Sequence, residues 1–119
     1  MDAMHEFSIA ASLLEIISQE ASTYGDSKVT GVTLKIGTLS GVVFESLEFA
    51  FQAVSQGTVA EGANLVIERV ALRIACRACG TTSMPADPFI ICPHCGSGDV
   101  EIIAGRELQI ESMEIDDGE

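Results

Sequence analysis

The four cysteines of this chain, Cys76, Cys79, Cys92 and Cys95, form two C-x-x-C pairs with twelve residues between them. Each pair can hold two thiolates on one side of a tight turn, and two such turns facing each other make a tetrahedral S4 pocket that suits zinc. Gly80, Gly96 and Pro93 supply the turn chemistry this requires. Iron in a rubredoxin-like site would use the same four ligands, so spacing alone leaves it open. Disulfides belong to oxidising compartments, and the opening MDAMHEFSIAASLLEI has no basic stretch ahead of its apolar residues. The expectation is therefore a reducing, cytoplasmic setting. A thioredoxin-like redox site would need one C-x-x-C beside a βαβ unit, whereas two pairs point to a shared ion.

The two histidines, His5 and His94, both sit where a metal could be met. His94 lies inside the second knuckle, where four cysteines already complete a zinc tetrahedron. It reads as an exposed turn residue or an outer neighbour of a thiolate. His5, between Met4 and Glu6, precedes the first expected helix. Imidazole, carboxylate, thioether and deprotonated backbone amides are donors for a square-planar site, which suits Ni(II) or Cu(II) rather than zinc. A lone histidine near a chain start is otherwise an inert surface group. No G-x4-G-K-[ST] phosphate loop and no nucleophile–base pair occur, so no enzymatic activity is expected.

The elements that must position these groups follow from periodicity. Residues 8–24 predict a helix with Ser8 as N-cap and Gly25 as its stop, its apolar face built from Ile9, Leu13, Ile16, Ile17 and Tyr24. Residues 29–37 predict a strand in which Val32, Leu34 and Ile36 alternate with Thr33 and Lys35. A second helix is expected at 44–56, ended by Gly57. A strand at 63–74 changes phase near Arg69, the mark of a bulge or of exit from one sheet into another. Shorter strands are expected at 100–103 and 107–115. The long strands flanking the cysteines are expected to pair antiparallel, making the cysteine module an excursion between neighbours. The fold class is thus α+β: a small α/β domain of two helices on a three-stranded sheet (1–72 with 104–119) and an inserted zinc ribbon (73–103).

Charge limits the partners. Lys and Arg number 6 against 18 Asp and Glu, a net charge of −12. Zinc ribbons often serve nucleic-acid proteins, but those neutralise phosphates with cations that this chain lacks. A basic or metal-bearing protein partner fits better. No apolar run reaches the ~18 residues of a membrane-spanning helix.

Several segments together resemble one family. They are Met4-His5-Glu6-Phe7-Ser8-Ile9, Val32-Thr33-Leu34-Lys35-Ile36-Gly37, Ser46-Leu47-Glu48-Phe49-Ala50-Phe51, Ala60-Glu61-Gly62 and the two cysteine knuckles. A Met-His-Glu start with a late zinc ribbon is similar to the HypA/HybF nickel metallochaperones of [NiFe]-hydrogenase and, in some organisms, urease maturation. The resemblance runs from Met4 to about Ile115. It implies nickel binding at Met4, His5 and Glu6 through backbone nitrogens, with the His5 imidazole as the central side-chain donor. It also implies a structural zinc on Cys76, Cys79, Cys92 and Cys95, a HypB-like GTPase partner and delivery to the hydrogenase large subunit. The chain would be a monomer or a homodimer. The competing readings are a zinc-ribbon interaction module without nickel and a rubredoxin-like electron carrier.

Two departures from the family pattern stand out. Members begin at the methionine of Met-His-Glu, whereas Met1-Asp2-Ala3 comes first here, so a start at Met4 is expected. Some members carry an acid before the second helix, where this chain has Val42, Val43 and Phe44. Glu45 is the nearest acid, either an outer support for nickel or a solvated first-turn residue favoured by the helix dipole.

Overall fold

The computed structural model describes residues 3–25, 27–85 and 90–116, apart from the side chains of Ala3 and Met4. Met1 and Asp2, on which the expected start at Met4 bears, lie outside them. Its elements in order are α1 (Ala3–Ser22), β1 (Lys28–Gly37), α2 (Phe44–Ser55) and β2 (Asn64–Val70). β3 (Arg73–Cys76), β4 (Thr82–Ser83), β5 (Val100–Ala104) and β6 (Leu108–Asp116) follow. The chain divides into two compact units, one from 1–34, 42–68 and 109–119, the other from 35–41 and 69–108. The expected α+β architecture of two helices, a three-stranded sheet and an inserted cysteine ribbon is the one observed.

α1 starts five residues earlier than Ser8 predicted, so Met4, His5 and Glu6 belong to its first turns instead of preceding it. Ala, Met and Glu are strong helix formers, and nothing in this stretch breaks a helix. Glu6 adds an acid in the first turn, where the dipole favours it. Ser8, a good cap by type, is an exposed residue inside the helix. The buried stripe is Glu6, Ala10, Leu13, Ile17 and Ala21, at steps of three and four. Ile16 and Tyr24, expected to face the core, are 54% and 61% exposed. Small Ala10 and Ala21 occupy the stripe in their place, on the helix that packs against α2. α1 closes through Tyr24 N–H to the Ala21 carbonyl (3.0 Å) and Gly25 N–H to that of Ser22 (3.2 Å). Gly25 takes φ 76°, the left-handed stop that its position predicted.

The first sheet runs β2-β1-β6. Val29 N–H donates to the Val59 carbonyl (2.8 Å) and Thr38 N–H to that of Val70 (2.9 Å). β1 and β2 therefore advance together, as a crossover through α2 allows. On the other side the Thr30 hydroxyl reaches the Glu114 carbonyl (3.3 Å) and Gly37 N–H that of Glu107 (2.8 Å), so β6 runs antiparallel to β1.

This corrects the expected direct pairing of the two strands that flank the cysteines: β1 lies between them. The reason is composition. Val29, Val32, Leu34 and Ile36 of β1 are buried, and its only charges are Lys28 and Lys35. β2 and β6 alternate exposed with half-buried positions and carry Glu68, Glu111, Glu114 and Asp116. Strands that keep acids in water take the edges.

The second sheet, β4-β3-β5, carries the cysteines. β3 pairs antiparallel with β5 (Ile74 with Ile102, Ala75 with Glu101, Cys76 with Val100), and the register shifts between Arg73 and Ile74. The phase change near Arg69 is thus an exit: β2 ends at Val70 and β3 opens a new sheet at Arg73. Within this unit the segments 37–39, 70–72 and 105–107 meet backbone to backbone. Leu39 N–H donates to the Gly105 carbonyl (2.8 Å), and a Cβ on Gly37 would overlap that carbonyl. Gly105, at φ 121°, would set a Cβ 2.9 Å from Leu72 Cα.

Candidate metal centres

The two cysteine turns have the same build. Cys76 N–H donates to the Thr81 carbonyl and Gly80 N–H to that of Cys76, both at 2.9 Å. In the second turn Cys92 N–H donates to the Ser97 carbonyl (2.9 Å) and Gly96 N–H to that of Cys92 (2.7 Å). Gly80 and Gly96 both take φ 78°, a conformation that side chains disfavour, so each C-x-x-C ends on the residue its turn requires. Cys76 and Cys92 are buried, while Cys79 and Cys95 are exposed.

The four sulfurs lie within 4.8 Å of one another, with Cys76–Cys95 at 3.6 Å and Cys79–Cys92 at 3.7 Å. All four are free thiols, far beyond the ~2 Å of a disulfide. A tetrahedron with arms of ~2.3 Å has edges of ~3.8 Å, so the quartet matches the span of a zinc tetrathiolate. The cysteines could therefore hold a metal such as zinc.

Their electrostatics point the same way. Hydrogen bonds with Thr81, through its side chain first and then its backbone, lower the Cys79 thiol from 9.0 to about 6. At Cys95 the Ser97 backbone also pulls downward, but the Cys76, Cys92 and Cys79 sulfurs and desolvation outweigh it and push the thiol up to about 12. Sulfurs this close resist ionising together until a divalent cation offsets their charge. His94 is exposed in the second turn, as expected of a turn residue.

At the other expected centre the residues part company. His5 has an exposed side chain (56%), whereas Glu6 beside it is fully buried (0%). Glu6 Oε2 accepts the N–H of Val43, the N-cap residue of α2, at 3.1 Å and lies 3.8 Å from His5 Nδ1. Glu6 Oε1 is buried with no hydrogen-bond partner. Glu45 is exposed in the first turn of α2. Among the described residues, the cysteines form a converging group of three or more potential ligands, and His5, Glu6 and Glu45 form no second one. The buried tie from Glu6 to Val43 escapes sequence reasoning, because an acid in the first turn of a helix ordinarily faces water.

A family model described as hydrogenase/urease nickel incorporation, metallochaperone, hypA matches residues 4–115. A hydrogenase maturation factor HypA of Roseiflexus sp. (strain RS-1) is 44% identical over 115 residues, 96% of this chain and 94% of that protein. One from Chlorobaculum tepidum is 44% identical over 113 residues, 95% of this chain and 100% of its own length. Among solved structures, that of the Ni metallochaperone HypA from Helicobacter pylori superposes with a TM-score of 0.67 at 25% identity, covering 92% of this chain and 96% of that one. A second HypA solution structure gives a TM-score of 0.73 at 27% identity, covering 96% and 98%.

Proposed function

The chain belongs to the HypA family of nickel-incorporation metallochaperones, and from that premise we propose that it binds Ni(II) through Met4, His5 and Glu6 and delivers it for [NiFe]-hydrogenase maturation. The observation that carries this reading is the first turn of α1, where an exposed imidazole stands beside amides outside the helix ladder. The first four N–H groups of a helix have no carbonyl four residues back. The amides of Met4 and His5 can thus be deprotonated and ligate nickel without breaking a helical hydrogen bond, that of Glu6 at the cost of the first bond of the ladder, and the His5 imidazole completes the set. The Glu6 carboxylate, engaged with Val43, acts as an anchor for this turn and not as a donor.

Zinc on Cys76, Cys79, Cys92 and Cys95 would serve the fold as a fixed cross-link between the two turns. The division into a nickel domain (1–72 with 104–119) and a zinc ribbon (73–103) follows from these two roles. Lacking a phosphate-binding loop of its own, the chain would leave GTP hydrolysis to a HypB-like GTPase and pass nickel to the hydrogenase large subunit in the cytoplasm. Calorimetric titration with Ni(II) tests the reading: wild type should bind one ion per chain, and equal affinity in His5→Ala would refute it.

A further inference from the structure

The four sulfurs stand as the corners of a tetrahedron. Cys76–Cys95 at 3.6 Å and Cys79–Cys92 at 3.7 Å are opposite edges of it, since between them they use each sulfur once. Both edges can therefore shorten together, and the space they close is the one an ion would occupy. Each edge also joins an exposed cysteine of one turn to a buried cysteine of the other. An exposed sulfur can meet an oxidant from water, and its shielded neighbour is left to resolve the product. Within the first turn, by contrast, the Cys76 sulfur receives the Cys79 N–H at 3.4 Å. The edge partners are nineteen and thirteen residues apart in the chain, so bonds along them would tie the two turns together, as zinc does. Bonds inside each C-x-x-C would tie neither turn to the other.

We propose that hydrogen peroxide exchanges the zinc of this ribbon for two disulfides, Cys76–Cys95 and Cys79–Cys92, releasing the ion while the turns stay tied. The exchange rests on zinc occupying the four cysteines, as read above; the pairing rests on the sulfur geometry. In each edge the exposed thiolate attacks a peroxide oxygen and expels hydroxide, giving a sulfenic acid. The buried sulfur then displaces hydroxide from that sulfur and closes the S–S bond. Two thiolates lose two electrons to one peroxide, which leaves as two waters after two protons are taken up. Two peroxides thus free one zinc ion. In a reducing compartment such bonds are transient and act as sensors, and a dithiol returns the four thiols by exchange.

The test adds hydrogen peroxide in steps to the zinc-loaded chain and reads freed zinc with a chromogenic chelator. One ion should appear for every two peroxides consumed. Chymotryptic cleavage after Phe89, which lies between the two turns in sequence, should leave the fragments joined until a reductant is added. Tandem mass spectrometry should then find the two cross-turn links. Amide protection across β3, β4 and β5 should survive oxidation, whereas stripping zinc from the reduced chain should abolish it. Dithiothreitol with zinc should restore the starting state. The proposal is overturned by zinc that stays bound in excess peroxide, by fragments that part because each C-x-x-C has closed on itself, or by sulfurs driven to sulfinic acid. Elemental analysis before oxidation keeps the two readings apart. A chain without zinc refutes the zinc reading and the exchange with it, whereas bound zinc followed by the wrong links refutes the exchange alone.

Discussion

The Glu6 carboxylate accepts the Val43 N–H at 3.1 Å, fastening the start of α1 to the start of α2. Val43 has no capping side chain of its own to offer α2, and the buried Glu6 carboxyl supplies an acceptor there in its place. Removing Glu6 would leave the Val43 N–H without its acceptor. Glu6→Ala is expected to cost about 1–3 kcal/mol from that orphaned donor, with an added loss for the space left behind. Glu6→Gln keeps an acceptor and should cost less. Urea unfolding followed by far-UV circular dichroism checks both, and equal stability of Glu6→Ala and wild type would show the tie to be idle.

The approach of Gly37 to Gly105 allows a sharper test. A Cβ at Gly37 has no room beside the Gly105 carbonyl, and one at Gly105 would press on Leu72 from a left-handed backbone. Either Gly→Ala change should destabilise by more than the ~1 kcal/mol that a compatible Gly→Ala change gains. Gly98 is the control: nothing lies within 4 Å of its added Cβ and its φ is not left-handed. Gly98→Ala should stay within about 0.5 kcal/mol of wild type. Melting temperatures of the three variants decide the matter.

The cysteine ribbon was legible in the sequence because its information is local. Ligands three apart, a glycine after each pair and the phase change near Arg69 each act within one or two turns of chain. The first helix misled for the same reason. Ser8 is a good cap by type, but Glu6 is held two residues upstream by Val43, 37 residues away in sequence, and no local rule sees that distance. The helix face was misjudged because Ile16 is more apolar than Ala10 or Ala21, yet the two alanines are buried and Ile16 is exposed. Strand order required comparing three strands at once: the flanking strands looked like partners until β1, with the most buried side chains, claimed the centre.

One zinc per chain is the expected metal content, measured by elemental analysis. A coloured protein containing iron would move the site to the rubredoxin-like reading. Cys76→Ser or Cys92→Ser should abolish stoichiometric binding and remove amide protection across β3, β4 and β5, since the cross-link between the turns is lost. Thr81 contacts Cys79 Sγ at 3.3 Å, so Thr81→Val should weaken zinc by about 10- to 100-fold, as outer partners of metal ligands do. Thiolates bind the ion only when deprotonated, so zinc should leave as pH falls and stay as it rises. Retention through acid titration would contradict a tetrathiolate.

Nickel should show a different proton signature. If the His5 and Glu6 amides ligate, each nickel bound must displace their protons as well as any on the imidazole. Affinity should therefore fall steeply with acid, and calorimetry in buffers of different ionisation enthalpy should find more than one proton released per ion. His5→Ala should lower affinity by about a hundredfold or more, since losing a ligand exceeds the 10- to 100-fold cost of losing an outer partner. Glu6→Gln alters the carboxylate and leaves the backbone amide in place, so it should keep the proton count while shifting stability. Nickel binding that releases no protons, or that Glu6→Gln abolishes in a still folded chain, would place the ligands on side chains instead.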